Sequence, residues 1–330
     1  MGKNMSQTNV VFGAAGSLGA AIVRRLAALS MPTRSVVRSL DRAKQVLPQQ
    51  ATIEIELGDA LNAESVHALC HDAHTIYHCV NVPYQHWSEI MPKVTDNILA
   101  GAKEAEASVV FPGNVYGYGS FQNIPATEDH PLAATSKKGK LRNAIEGKVM
   151  NAHKSGDVSV VIPRFPDYYG PNVVNRLMGS IFENAISGKK AQWIGKLNVP
   201  HDLIYIEDAA AAAVLLAMNE DAYGQVWHVP GAGPLTGRQF IEMAFKAAGT
   251  KPDIGVLSGG FLRFASLVNS DAHEMRELLY EFEESLVLDG TKFARAFPSF
   301  RYTPHEEAIR NSVEWFRKRS VMPRSEAAAT

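Results

Sequence analysis

The chain has 330 residues, of which 46% are hydrophobic and 20% charged, with a formal net charge of −1. A chain of this size can bury roughly 75% of its unfolded surface in one or two domains, and its near-neutral charge excludes the basic surface that nucleic acids and acidic membranes select. The longest apolar run, Ala209 to Met218, is far shorter than the roughly 20 residues that span a bilayer. The N-terminal residues lack the apolar core of a signal peptide, and Cys70 and Cys79 have neither framework density nor zinc-ribbon spacing. A cytoplasmic protein with reduced thiols is expected.

The first predicted element is the apolar strand Asn9-Val10-Val11-Phe12, followed by Gly13-Ala14-Ala15-Gly16-Ser17-Leu18-Gly19 and a helical pattern from Ala20 to Leu29. A glycine turn between strand and helix lets the backbone approach a pyrophosphate, which the free N–H groups and positive dipole end of the helix then hold. Gly13, Gly16, Ser17, Leu18 and Gly19 are therefore candidate nucleotide contacts. The second strand, Thr33 to Ser39, ends where the adenosine ribose should lie. An acid there would bind the 2′-hydroxyl of NAD, whereas Arg38 and Ser39 suit a 2′-phosphate. NADP is thus the favoured cofactor over NAD; the plainer reading of Arg38 is a solvated charge. A third strand, Thr52 to Leu57, ends in Gly58-Asp59-Ala60, placing Asp59 and Ala60 at the adenine unless Asp59 merely caps the helix starting near Asn62. Val80 and Asn81, after the strand Thr75 to Cys79, complete the expected cofactor set.

Further on, a helix around Trp87 to Ala105, a strand Ser108 to Phe111, a helix Leu141 to Ala152 and a strand Val158 to Ile162 continue the alternation that makes a parallel sheet. After Pro171 come a helix near Arg176 to Ser187, a turn-rich stretch to Pro200, a strand-helix unit Asp202 to Met218, a strand Val226 to Val229, the breaker cluster Pro230 to Pro234, and a mostly helical remainder. The predicted organisation is a dinucleotide-binding domain of residues 1–170 with 201–230, and a smaller, mostly helical substrate lobe of 171–200 with 231–330. Apolar Phe261, Leu262, Phe264 and Leu267 are expected near a cleft of that lobe.

Several motifs together resemble the extended short-chain dehydrogenase/reductase superfamily, in its NAD(P)-dependent epimerase/dehydratase branch. They are the Gly13/Gly16/Gly19 turn, Gly58-Asp59, Asn114-Val115-Tyr116-Gly117, Arg164 with Tyr169-Gly170-Pro171, the run His201 to Ala209, and the closing pattern Thr303 to Phe316. The resemblance implies a Rossmann-type, doubly wound α/β sheet and an oxidoreductase. It fails at the catalytic positions. Pro112 stands where the family has Ser or Thr, and counting back from Glu146 puts Arg142 at the family's Lys and Lys138 at its Tyr, with no tyrosine between Tyr118 and Tyr168. The family's phenol acts as a general acid/base with its pKa lowered by neighbouring positive charge; a permanently protonated Arg142 cannot relay protons. The candidate catalytic set is therefore Lys138, Arg142, Asn114 and Tyr84, against a plain alternative in which Ser136, Lys137, Lys138, Lys140 and Arg142 form a solvated helix start.

In the family's nucleotide-sugar enzymes an Asn follows the sixth-strand Arg by three residues, and Asp167 occupies that place here. A carboxylate beside a diphosphate is repulsive, so a small carbonyl or hydroxyl substrate other than a nucleotide sugar is expected, with Tyr84, Asp167 and Tyr168 as contacts. The alternative role of Asp167 is to cap the turn around Tyr169. A second function class stays open, a non-catalytic NADP(H)-binding sensor or partner module. His67, Cys70, His71, His74 and His78 read as ordinary imidazoles and a thiol rather than a metal site. The resemblance also implies a homodimer through Trp87–Ala105 and Leu141–Ala152, with Ile145, Val149 and Ala152 on the shared face.

Overall fold

The computed structural model describes residues 8–257, 259–260, 277 and 279–321; Phe261, Leu262, Phe264 and Leu267 lie outside them. The chain divides into two compact units: residues 1–113, 141–164 and 209–227, and residues 114–140, 165–208 and 228–330.

In the first unit, parallel strands β1 (Thr8–Phe12), β2 (Thr33–Val37), β3 (Ile53–Leu57), β4 (Ala73–His78), β5 (Ser108–Val110) and β7 (Val160–Phe165) form one sheet, which also contains the short β6 (Gly113–Asn114) and β12 (Val226–His228). The order is β12-β7-β5-β4-β1-β2-β3, so the winding reverses between β1 and β4. That reversal is the switch point at which doubly wound sheets take ligands, beyond the carboxyl ends of the strands. Registers such as Val10↔Arg34 and Val10↔Ile76 place a strand on each edge of β1, and Val10, Val11 and Phe12 have no exposed surface, so both its faces are covered as well. This is why its sequence is a continuous apolar run and not an alternating one.

Helices α1 (Ser17–Ala28), α2 (Leu40–Val46), α3 (Ala63–Cys70), α4 (Trp87–Glu104) and α5 (Lys137–Lys154) alternate with these strands. Arg34, buried on β2, anchors the β3 and α3 side through Nε to Glu56 (2.8 Å) and Nη1 to the Leu69 carbonyl (2.8 Å) and Asp72 (2.6 Å). α5 begins four residues before the sequence expectation, because the Ser136 hydroxyl accepts from the Gly139 N–H at 3.0 Å and Glu277 accepts from the Lys138 N–H at 3.1 Å. On α5, Ile145 and Val149 are buried within the single chain. The expectation that they form a face shared with a second copy is corrected: they pack inward.

The second unit holds β8 (Asp167–Tyr169), β9 (Ala191–Ile194), β10 (Pro200–His201), β11 (Leu203–Tyr205), β13 (Leu235–Thr236) and β14 (Ile254–Leu257). They pair as three small ribbons, β11 with β8 and β14 with β9 in parallel, β10 with β13 antiparallel. Helices α6 (Met178–Ser187), α7 (Ile206–Ala217) and α8 (Gly237–Ala248) and the closing helix His305–Val321 follow, α7 passing into the first unit at Ala209. The core of the second unit is aromatic: Tyr169 lies 5.2 Å edge-on to Phe240, and Phe182 stacks on Phe316 at 5.3 Å. The Tyr169 hydroxyl is bonded to His305 Nδ1 at 2.8 Å, which satisfies its polar end inside that core. Strands β9 and β14 replace parts of the expected turn-rich and helical stretches. Each is a four-residue strand whose partner is distant in sequence, so local pattern carries little signal for it.

Candidate functional site

The glycine turn sits at the switch point of the first unit. Gly13 has φ +76°, and a Cβ there would lie 2.5 Å from the Cys79 carbonyl oxygen at the end of β4. At Gly19 a Cβ would lie 2.3 Å from the Gly13 oxygen, so this glycine is what allows α1 to pack closely on the turn. Gly16 differs from both. It is exposed, its φ of −73° is ordinary, and the one neighbour a Cβ would meet is the Gly13 oxygen at 3.1 Å. A Cβ there would press on one backbone oxygen, a milder demand than at Gly13 or Gly19, and close approach of a ligand to the backbone is a second reason for glycine. Gly16 is also the N-cap of α1, which has no side-chain cap and no acidic residue in its first turn. The helix end offers its positive dipole to an anion, and its own first turn holds no acidic residue. Ser17 and Leu18 follow, half-buried in that first turn.

At the end of β2, Arg38 is exposed and forms no ion pair among the described residues, while the Ser39 hydroxyl caps α2 by accepting from Arg42 N–H at 3.3 Å. Asp59 is exposed and accepts from Leu61 N–H at 2.9 Å, and Ala60 beside it is buried. The cap of α3 is Asn62, which accepts from Ser65 N–H at 3.0 Å; capping by Asp59 is thereby corrected to a turn one step earlier. Beyond β4, Val80 is half-buried and Asn81 exposed, the latter's side-chain carbonyl accepting from Trp87 Nε1 at 3.0 Å. Tyr84 is half-buried in the turn Tyr84–His86, with its ring 4.9 Å from that of Trp87. The structure thus brings the turn and the ends of β2, β3 and β4 together along one edge of the sheet.

Arg142 is also in the first unit, and it is buried. Its Nη2 donates to the Pro112 carbonyl at 2.8 Å, its guanidinium lies 5.0 Å from the centre of the Phe111 ring, and Glu146 is 3.7 Å away. Glu146 in turn pairs with the buried Arg164. His78, at the end of β4, is bonded to Thr95 at 3.2 Å, and burial first, then the charge of Arg142, pushes its imidazole down to about 3; it is neutral at any physiological pH. His67 pairs with Glu104 and His71 with the Ala68 carbonyl.

In the second unit Lys138 is buried and its ammonium lies 2.7 Å from Glu277. The solvated helix start is therefore corrected for Lys138 and Arg142, and holds for Lys137 and Lys140, which are exposed. The Asn114 side-chain carbonyl accepts from Tyr116 N–H at 3.2 Å, and the other end of the amide is a donor. Asp167 accepts from His201 Nε2 at 3.0 Å, the outcome in place of a cap on Tyr169, and Tyr168 is half-buried beside Phe165. Glu281 is buried next to Tyr280, whose hydroxyl donates to it at 3.3 Å. Burial, with the Asp167 charge adding to it, holds the Glu281 carboxyl well above the usual carboxylate range. Sequence reasoning gives no role to His201, Glu277 or Glu281. The signal for His201 is that it and Asp202 stand directly ahead of the apolar strand β11, where polar residues become buried.

Sheet order, switch-point turn and flanking helices define a Rossmann-type α/β protein. Within that class the chain belongs to the NAD dependent epimerase/dehydratase family, whose model matches residues 9–229. An uncharacterized protein, y4nL, of Sinorhizobium fredii is 23% identical, over 92% of this chain and 93% of that one. The dTDP-glucose 4,6-dehydratase of Streptomyces antibioticus is 22% identical, over 93% of this chain and 92% of its own length. Among solved structures, dTDP-glucose 4,6-dehydratase of Bacillus anthracis in complex with NAD superposes with a TM-score of 0.79 at 18% identity, covering 94% of this chain and 97% of that one. Epimerase Mth375 of Methanothermobacter thermautotrophicus gives a TM-score of 0.80 at 14% identity, covering 96% and 93%. These likenesses establish the shared fold.

Proposed function

We propose that the chain is an NADP-dependent oxidoreductase of the epimerase/dehydratase type acting on a small carbonyl or hydroxyl compound, and not on a nucleotide sugar. The observation that carries this reading is Gly16, on which the fold makes a milder demand for glycine than on Gly13 or Gly19, at the N-terminus of α1 on the switch point, with Arg38 at the neighbouring strand end. In this reading Gly13, Gly16, Ser17, Leu18 and Gly19 hold the pyrophosphate, Arg38 and Ser39 the 2′-phosphate, Asp59 and Ala60 the adenine, and Val80 and Asn81 the nicotinamide end. A bound nicotinamide dinucleotide supplies the hydride chemistry. The charge of Asp167 opposes a diphosphate and so speaks against the sugar-nucleotide substrates that relatives' names carry.

Proton transfer runs without a Tyr-x-x-x-Lys couple. On the first unit Tyr84 contributes a phenol, and Arg142 orders the Pro112 backbone through its hydrogen bond and adds a fixed positive charge. On the second unit Asn114 offers its amide donor to developing negative charge, and Lys138 serves as the cation of that region, countered by Glu277. A screen of carbonyl compounds with NADPH, followed by Tyr84→Phe, Asn114→Ala and Lys138→Ala, tests the reading; a turnover substrate whose rate none of these variants alters refutes the residue assignment. The commitment of both Lys138 and Arg142 to buried partners supports a second reading, a NADP(H)-binding sensor without catalysis. Micromolar NADPH binding with no turnover in any carbonyl class would select it. A homodimer through the outer faces of α4 and α5 belongs to the same proposal, and a monomer by light scattering at micromolar concentration refutes it.

A further inference from the structure

Asp167 and His201 join a half-exposed acid to a fully interior base. The imidazole residue is 1% exposed, the Asp167 side chain 26%, and the Nε2–Oδ2 distance is 3.0 Å. With the ring proton on Nε2 and donated to the carboxylate, Nδ1 is an acceptor. Nδ1 is buried and has no partner among the described residues, and the same is true of Nε1 of Trp193, a residue 1% exposed. The two rings stand edge to face, with centroids 6.1 Å apart and planes at 89°. One unmet atom accepts and the other donates. Phe282 stacks on the imidazole at 5.0 Å and 7°, which fixes the ring plane. The acids around the pair differ in access: Glu281 is buried and Asp202 is buried and accepts from the Leu288 N–H at 2.7 Å, so Asp167 is the accessible member.

We propose that His201 is a positioning residue: buried against Trp193 and held by the stacked Phe282, it orients Asp167 so that the second carboxylate oxygen accepts from a hydroxyl or ammonium group of the substrate and rejects a phosphate. The proposal rests on the oxidoreductase reading for its substrate and on the protein interior for its geometry, and the two are separable by experiment.

The test is 15N-histidine NMR on the full chain, with His201→Gln identifying the His201 signals. The Nε2–H tautomer is expected in the parent. Phe282→Leu, which removes the ring stacked on the imidazole, and Asp167→Asn, which removes the acceptor's charge, each move the Nε2–H resonance. A Nδ1–H tautomer in the parent, or His201 signals that neither variant alters, overturns the positioning role. In the same proteins, NADPH-dependent reduction of glyceraldehyde is compared with that of glyceraldehyde 3-phosphate. Asp167→Asn is expected to raise the relative kcat/KM for the phosphorylated aldehyde about tenfold, by removing a like charge. An unchanged ratio, or a parent that reduces neither compound or the phosphorylated one alone, overturns the substrate assignment. Failure of the parent to bind NADPH refutes the oxidoreductase reading and leaves the tautomer result to stand or fall by itself.

Discussion

Alanine at Gly16 and, separately, at Gly19 distinguishes a turn shaped for a ligand from one shaped for packing alone. At Gly19 the new methyl would lie 2.3 Å from the Gly13 oxygen, 2.9 Å from its carbon and 3.0 Å from the Ala14 Cα. All three are backbone atoms that cannot rotate away, so overpacking of about 1–3 kcal/mol is expected, with a fall in Tm of several degrees. At Gly16 the single contact is 3.1 Å and the backbone is already in a region open to alanine. A gain of about 0.4–1 kcal/mol from restricting the unfolded chain offsets that contact, and Tm should stay close to the parental value. The same methyl stands where the helix N–H groups would meet a pyrophosphate, and loss of one such charge-assisted bond, about 1.5–3 kcal/mol, weakens NADPH roughly 10- to 150-fold. Thermal unfolding and calorimetry on the two variants read both quantities. Parental NADPH affinity in Gly16→Ala, or equal destabilisation of the two variants, would refute the argument.

Two further outcomes follow from the buried charges. Burial pushes the Asp202 carboxyl up from 3.8 to about 7, so the native state binds the extra proton between those values and stability falls as pH rises through that window, levelling off above it. Asp202→Asn should therefore stabilise the protein more at pH 8 than at pH 5, by about 2–3 kcal/mol in denaturant titrations; a pH-independent effect contradicts it. For the ion pair of Lys138 and Glu277, a double-mutant cycle with Lys138→Met and Glu277→Gln should give a coupling of about 1–3 kcal/mol, and a coupling near zero would mean that the two groups do not meet in solution.

The sequence made the first unit legible because its signals are local. The run Val10 to Phe12, the glycines and the pattern of α1 are contiguous, and predicted and observed bounds of β2, β3, β4, α4 and β5 agree within two residues. The same holds for the cofactor candidates, which occupy strand ends that chain order alone places along one edge. What could not be read was which charges are buried. Lys137, Lys138 and Lys140 look alike in sequence, and only Lys138 is buried, because its partner Glu277 lies 139 positions away. Asp167 shows the same limit: a strand-end acid is visible, but the histidine that holds it comes 34 residues later on another ribbon.

The proposed preference for NADP requires unequal binding of the two dinucleotides. Calorimetry of NADPH and NADH binding to the parent and to Arg38→Ala tests it most directly. Tighter NADPH binding in the parent is predicted, with Arg38→Ala weakening NADPH roughly 10- to 150-fold through loss of one bond to the 2′-phosphate and leaving NADH unchanged. Equal parental affinities, or a variant that loses both dinucleotides together, would contradict it.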